Sequence, residues 1–277
     1  MKEHRILINK IILTLSTLAA ILGLGFLIWI LFVLVKNGLG AMNLNIFMYD
    51  GAPPGVAESG LRHAMVGQLM LAVGATVIGV PIGILAGTYL SEFGQNSKLA
   101  NFIRDISDIM MSAPSIVIGT FVYAIMVAPM GYFNGYAGIV ALAIMMIPIV
   151  LRTTDDMLSL VPNTLREAAI ALGAPKYKMI TQVVYRSAKV GIFTGILLSF
   201  ARIAGETAPL LFTSFNNNFF NLNFNEPIGS LTVTMFSYAT SPYEDWQKLG
   251  WAAAFILAMF ILGLNIVSRF FINRKRK

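Results

Sequence analysis

Arg202 and Glu206 stand four residues apart in "LLSFARIAGETAPLLF", residues 197 to 212, inside a run apolar enough to cross a membrane. An intramembrane charge costs roughly 2.5–3.5 kcal/mol on insertion scales, and more against bare lipid. Both side chains are therefore expected to face protein or water. A guanidinium is permanently charged and presents a donor fork that suits the oxygens of a tetrahedral oxyanion. A carboxylate one turn away can hold that guanidinium between visits and accept a hydrogen bond from a protonated oxyanion. With Ser199 and Thr207, the pair makes up a candidate pathway for an anion. The competing reading is an ion pair that only sets helix register. A buried pair adds little net stability over apolar packing, whereas intramembrane charges commonly mark substrate routes.

The element expected to position these residues is one helix over about 190–213. At 100° per residue, Gly191, Gly195, Ser199, Arg202 and Glu206 fall in one narrow stripe. Gly191, Gly195 and Ser199 make a small-x-x-x-small pattern that lets another membrane helix approach closely. The charged face is thus predicted to be the packed face, with Arg202 near the bilayer centre and Pro209 kinking the helix a turn later.

The rest of the chain fits a membrane setting. It is 57% hydrophobic and 12% charged, where soluble domains run at about 45–50% and 25%. A net charge of +7 could suit nucleic acid, but no basic face accompanies a soluble core, so nucleic acid is excluded as a partner. Cysteine is absent, and His4 and His63 are far apart, so no metal and no covalent cofactor are expected in this chain.

Six segments approach the roughly 20 apolar residues a spanning helix needs, at about 11–35, 64–90, 109–129, 135–151, 190–213 and 250–270. The fourth is short and carries Pro148. The first is longer than a cleavable apolar region and reads as a retained anchor. The division expected is 1–63, an N-terminal membrane helix with an extracytoplasmic loop, and 64–277, a membrane core with a cytoplasmic loop at 152–189. With both termini cytoplasmic, sixteen of the 20 Lys and Arg lie inside and three outside, Arg202 being the one left over. This is the bias that sets orientation. The tail "NRKRK" then serves as a topology anchor. "IGSLTVTMFSYAT" is too short to span, and the Asn- and Phe-rich stretch 215–230 is an outside loop, with or without a delivering partner.

In the inside loop, "NTLREAAIALGAPKYKMI" has Thr164 and Glu167 at capping-box spacing, which predicts a helix from about Leu165. Gly173 supplies a left-handed stop, and Pro175 starts a second helix. Leu165, Ala168, Ala169 and Leu172 form one apolar stripe. So short a helix is marginal in water, and its stripe needs a surface, either the membrane interface and the chain's own helix ends or a soluble partner. No G-x-x-x-x-G-K-[ST] phosphate loop occurs, so the chain is not expected to hydrolyse ATP.

"EAAIALG" resembles the EAA motif of ABC importer permeases. Glu167, Ala168, Ala169 and Gly173 match it, while Val183, Tyr185 and Arg186 depart from its apolar tail. "ARIAGETAPLLFTSF" and "MMSAPSIVIG" at 110–119 are similar to the PstA-type permeases of bacterial phosphate-specific ABC transporters, over most of the chain from about residue 60. The Pro after Ala208 favours that type over the PstC-type. The resemblance implies an all-α integral membrane protein of six transmembrane helices with the type I ABC importer (MetI-like) permease fold, in a bacterial inner membrane. It implies phosphate translocation past Arg202, with Glu206 as companion, and ATPase docking through Leu165, Glu167, Ala168, Ala169, Leu172 and Gly173. The implied partners are a PstC-type permease, two copies of a PstB-type ATPase that bind ATP and Mg, and a PstS-type phosphate-binding protein. Phosphonate, sulfate or molybdate remain rival cargoes. A secondary transporter would normally show internal repeats, and a membrane scaffold would leave the charged centre unexplained.

Overall fold

The computed structural model describes residues 2–56, 58–94 and 97–274, so the last three basic residues of the predicted anchor lie outside the described residues. In chain order the helices are α1 (Lys2–Ala41), α2 (Asn45–Met48), α3 (Arg62–Glu92), α4 (Lys98–Ser112) and α5 (Ser115–Val122). A π-helical turn at Tyr123–Val127 leads into α6 (Ala128–Met130), followed by α7 (Gly135–Ser159), α8 (Asn163–Ala171) and α9 (Lys176–Lys178). A second π-helical stretch, Met179–Val184, runs into α10 (Tyr185–Ile203), and then come α11 (Ala208–Thr213), α12 (Leu231–Ala239) and α13 (Glu244–Arg274). Five of these stretches are long and apolar enough to cross a membrane, or six if the bent pair α4 to α6 makes one crossing.

The centre is α7, packed on α3 and α10 and also touched by α4, α5 and α11. In its most apolar window 67% of the residues are buried inside the chain, against 28% or less in every other candidate span. This helix extends eight residues past the predicted 135–151 with Pro148 inside it. The α3–α7 contact is closed by Gly79, Gly83 and Gly87, one per turn. A Cβ on them would lie 3.1, 2.7 and 2.5 Å from Met146, Val150 and the Leu151 carbonyl. By contrast α1 packs along α13 and leaves its most apolar window wholly unburied.

The third crossing is not the straight helix predicted over 109–129. The chain bends by 103° between α4 and α5. Pro114 disfavours the helical conformation of the residue before it, and Ala113 is extended at φ −66°, ψ 137°. The α4 helix consequently runs across the bundle and ties itself to α7 through Arg104, whose Nε donates to Asp155 Oδ2 at 2.8 Å.

The bundle has two distinct ends. At one, Leu61, Ala64, Leu231, Tyr238, Leu249 and Ala252 form a buried cluster that Ala41 and Met42 join. There Arg62 donates from Nη2 to Asp50 at 2.8 Å and holds that carboxyl below the usual carboxylate range. The other end carries α8. The α1 helix finishes and α13 begins at the first end, where Ala41 and Met42 pack beside Leu249 and Ala252.

Candidate functional site

The predicted helix over 190–213 is interrupted. The α10 helix closes at Ile203, residues 204–207 are non-helical turn, and Pro209 sits in the first turn of α11, where a missing N–H costs nothing. Arg202 therefore occupies the last turn of α10, where a cation complements the helix dipole, and Glu206 lies in the break. They are not a turn apart on one continuous helix. Arg202 Nε and Glu206 Oε1 stand 4.0 Å apart, with side chains 51% and 18% exposed. At that separation the attraction is coulombic rather than a formed hydrogen bond.

Distant residues hold the break open. Gln68 Nε2 donates to the Ala204 carbonyl at 3.1 Å, and Thr232 Oγ1 donates to the Glu206 carbonyl at 2.9 Å. The Thr232 amide in turn donates to Gln68 Oε1 at 3.4 Å. These satisfy carbonyls that the interrupted ladder leaves without helical donors, as burial requires. Gln68 belongs to the second turn of α3, so Arg202 sits toward the end of the bundle opposite α8 and not at mid-depth. Sequence reading missed both residues, although a glutamine in the apolar run "GQLMLAVGATVIGV" is a signal of the same kind as Arg202.

The predicted single stripe separates into two faces. Gly191 and Gly195 press on α7, where an added Cβ would lie 2.2 Å from Met157 Sδ and from Thr153 Cγ2. Ser199 continues that face; it is fully buried and donates to the Ile196 carbonyl at 2.8 Å, so it lines no open space. Arg202 turns out of this face, with Leu198 and Gly205 exposed beside it. The charged face and the packed face are thus neighbours and not one surface. Thr207 lines a cavity of about 560 Å³ with Met235, Phe236, Gln247 and Trp251. The Pro209 backbone meets Gly119 of α5, whose Cβ would lie 2.6 Å from Pro209 Cα, so the stretches 110–119 and 201–215 touch. Gly195→Val is expected to lower the thermal midpoint of the purified protein by forcing α10 off α7, an overpacking cost of about 1–3 kcal/mol. An unchanged midpoint would mean that the contact yields freely.

At the other end, α8 begins at Asn163 with Pro162 before it and no side-chain cap, so Thr164 and Glu167 do not form the predicted capping box. Pro162, fixed near φ −60°, sets the entry instead. Gly173, at φ +79°, closes the helix. Its amide donates to the Ile170 carbonyl at 2.9 Å and the Ala174 amide to the Ala169 carbonyl at 3.1 Å, the two bonds of a Schellman stop. Leu165, Glu167, Ala168 and Leu172 are exposed, Leu172 at 89%, while Ala169 is half-buried against the cluster of Leu158, Val161, Met179, Ile180 and Val184. Leu165, Ala168 and Leu172 thus leave an exposed apolar strip along two turns of helix.

The family model for the binding-protein-dependent transport system inner membrane component matches residues 79–277. The phosphate transport system permease protein PstA of Pasteurella multocida is 50% identical over 269 residues, covering 97% of this chain and 96% of its own. The probable phosphate transport system permease protein PstA of Methanocaldococcus jannaschii is 34% identical over 271 residues, covering 97% and 95%. Among solved structures, a chain of the inward-facing MetNI methionine ABC transporter superposes with a TM-score of 0.60 at 18% identity, covering 78% of this chain and 94% of that one. At that identity the match establishes the all-α importer-permease fold and no more.

Proposed function

The chain belongs to the family of binding-protein-dependent transport inner membrane components and, within it, to the PstA-type permeases, and from that premise we propose that it lines the route of inorganic phosphate through an ATP-driven importer. The single observation that carries the reading is a half-exposed guanidinium beside a carboxylate at an interruption in a membrane helix. Phosphate entering the break meets the Arg202 donors while Glu206, released from its partner, accepts from a protonated phosphate oxygen. The 4.0 Å separation suits such exchange, because a looser pair gives up its cation at lower cost. Passage requires that the anion also leave, so the contact is brief and weak.

In this reading a PstC-type permease covers the Arg202 face, one of two PstB-type ATPases docks on Leu165, Ala168 and Leu172 of α8 while the other meets the partner permease, and a PstS-type protein delivers phosphate at the opposite end. Placing the α8 end and both termini in the cytoplasm agrees with the concentration of Lys and Arg there. ATP binds and is hydrolysed on the partners, and this chain converts their movement into alternating access.

The test reconstitutes the chain with its permease and ATPase partners in liposomes and measures ATP hydrolysis with binding proteins loaded with phosphate, sulfate, molybdate or phosphonate. Stimulation by the phosphate-loaded protein is the expected result. Stimulation only by another, or uptake driven by an ion gradient without ATP, would overturn the proposal.

A further inference from the structure

We infer that Arg166 and Glu92 form a rigid tie that carries movement of α8 into the membrane core, an inference that rests on the importer reading above. Glu92 is the last residue of α3, where the helix dipole disfavours a carboxylate, and its side chain is only 3% exposed. A buried anion at the negative end of a helix does not stabilise that helix, and an apolar residue of similar volume would serve the fold better. Its compensation arrives from Arg166, 74 residues later, whose Nη2 donates to Glu92 Oε1 at 2.6 Å and whose Nε donates to Oε1 and Oε2 at 3.2 and 3.3 Å.

The same guanidinium holds a second helix. Nη2 donates to the Leu158 carbonyl at 2.8 Å, and Nη1 donates to the Val161 carbonyl. Leu158 is in the last turn of α7 and Val161 just beyond it. One planar side chain on α8 thereby grips the ends of both α3 and α7, the two helices whose glycine-closed contact forms the core. A fork of fixed geometry transmits displacement in a way that a flexible ammonium or an apolar contact does not. Among the described residues, the remaining attachment of α8 to the core is apolar, with Ala169 packed on the Leu158 and Val161 cluster. Two further contacts bind the segment after the Gly173 bend to the same end of α3. Lys176 Nζ lies 4.1 Å over the Phe93 ring, and the Tyr185 and Thr88 hydroxyls are 2.6 Å apart. They fasten α9 and the base of α10, which leaves Arg166, among the described residues, as the polar tie of α8 itself.

The experiment uses the whole reconstituted complex and reads phosphate moved per ATP hydrolysed, alongside complex yield and thermal midpoint. Arg166→Met alone strands a buried carboxylate and is expected to lower the midpoint. Adding Glu92→Met removes the stranded charge and should restore the midpoint without restoring transport, leaving the ratio of phosphate to ATP about tenfold below wild type, within the range of site-to-site couplings. Arg166→Lys keeps Glu92 neutralised but cannot reach both helix ends, and it too should lower the ratio. A wild-type ratio in either the double variant or Arg166→Lys would overturn the tie. A wild-type complex that no loaded binding protein stimulates would instead remove the importer reading beneath it.

Discussion

Arg202→Gln is expected to cut phosphate uptake by at least about 10²-fold in complexes that still assemble. A guanidinium facing phosphate makes charge-assisted hydrogen bonds worth about 1.5–3 kcal/mol each. Losing two of them in the crossing barrier corresponds to about 10²-fold or more in rate. Glutamine keeps an amide donor and much of the length but neither charge nor fork. Assembly should survive, because the Arg202 side chain is half exposed and its ion pair is the 4.0 Å contact to Glu206. The break itself is held by Gln68 and Thr232. Uptake of radiolabelled phosphate by cells or liposomes, normalised to assembled complex, is the measurement. Uptake at the wild-type rate would remove the guanidinium from the route. Arg202→Lys should fall between the two, since it retains the charge without the planar donor set.

The second large effect is expected from Gly173→Val, which should abolish coupled uptake while membrane insertion continues. Nothing lies within 4 Å of a Cβ built at Gly173, so no collision is involved. The penalty is conformational: φ is +79°, and a left-handed backbone costs an L-residue roughly 1–2 kcal/mol, more for a β-branched one. The helix would escape that strain by abandoning its stop, which moves Leu172 off the stripe it shares with Leu165 and Ala168 and redirects the chain entering α9 at Pro175. Uptake and stimulated ATP hydrolysis should both disappear, while the permease is recovered from membranes in normal amount. Gly173→Asn, which tolerates the left-handed region, should retain most activity. Equal behaviour of the valine and asparagine variants would show that the bend is not needed.

Contiguous apolar length made the spans at 64–90 and 250–270 legible, because insertion into lipid depends on little else. The same rule hid both interruptions. Residues 190–213 read as one helix since composition is apolar throughout, yet the ladder opens at 204–207 where Gln68, 136 residues away from its acceptor, and Thr232 supply the missing donors. A break stabilised by tertiary hydrogen bonds leaves no local mark. Pro114 did leave one, and a stricter weight on the residue before proline would have bent the third segment. The stop at Gly173 was legible because only backbone freedom was at stake. The start of α8 was not, because Thr164 and Glu167 fit a cap that Pro162 had already made unnecessary. Ser199 shared a helical stripe with Arg202, but 60° of rotation separates burial against α7 from an exposed face. Glu92 and Arg166 stayed invisible because nothing in either neighbourhood announces the other.

The π-helical stretch Met179–Val184 has a consequence for how this gene tolerates change. A π turn closes with i→i+5 bonds and so accommodates one residue more than an α turn. Loss of a single codon there would let the turn tighten to the ordinary repeat while still closing once around, so everything beyond it keeps its direction. Gly191 and Gly195 would stay against Met157 and Thr153, and the guanidinium eighteen residues past the stretch would keep its heading. Point substitutions at Met179, Ile180 or Val184 in this wide turn act instead through the buried cluster they share with Leu158 and Val161. A one-residue deletion inside α10 itself, which has no surplus residue to give up, would turn the rest of that helix by about 100°, so length is held strictly there and loosely in the wide turn.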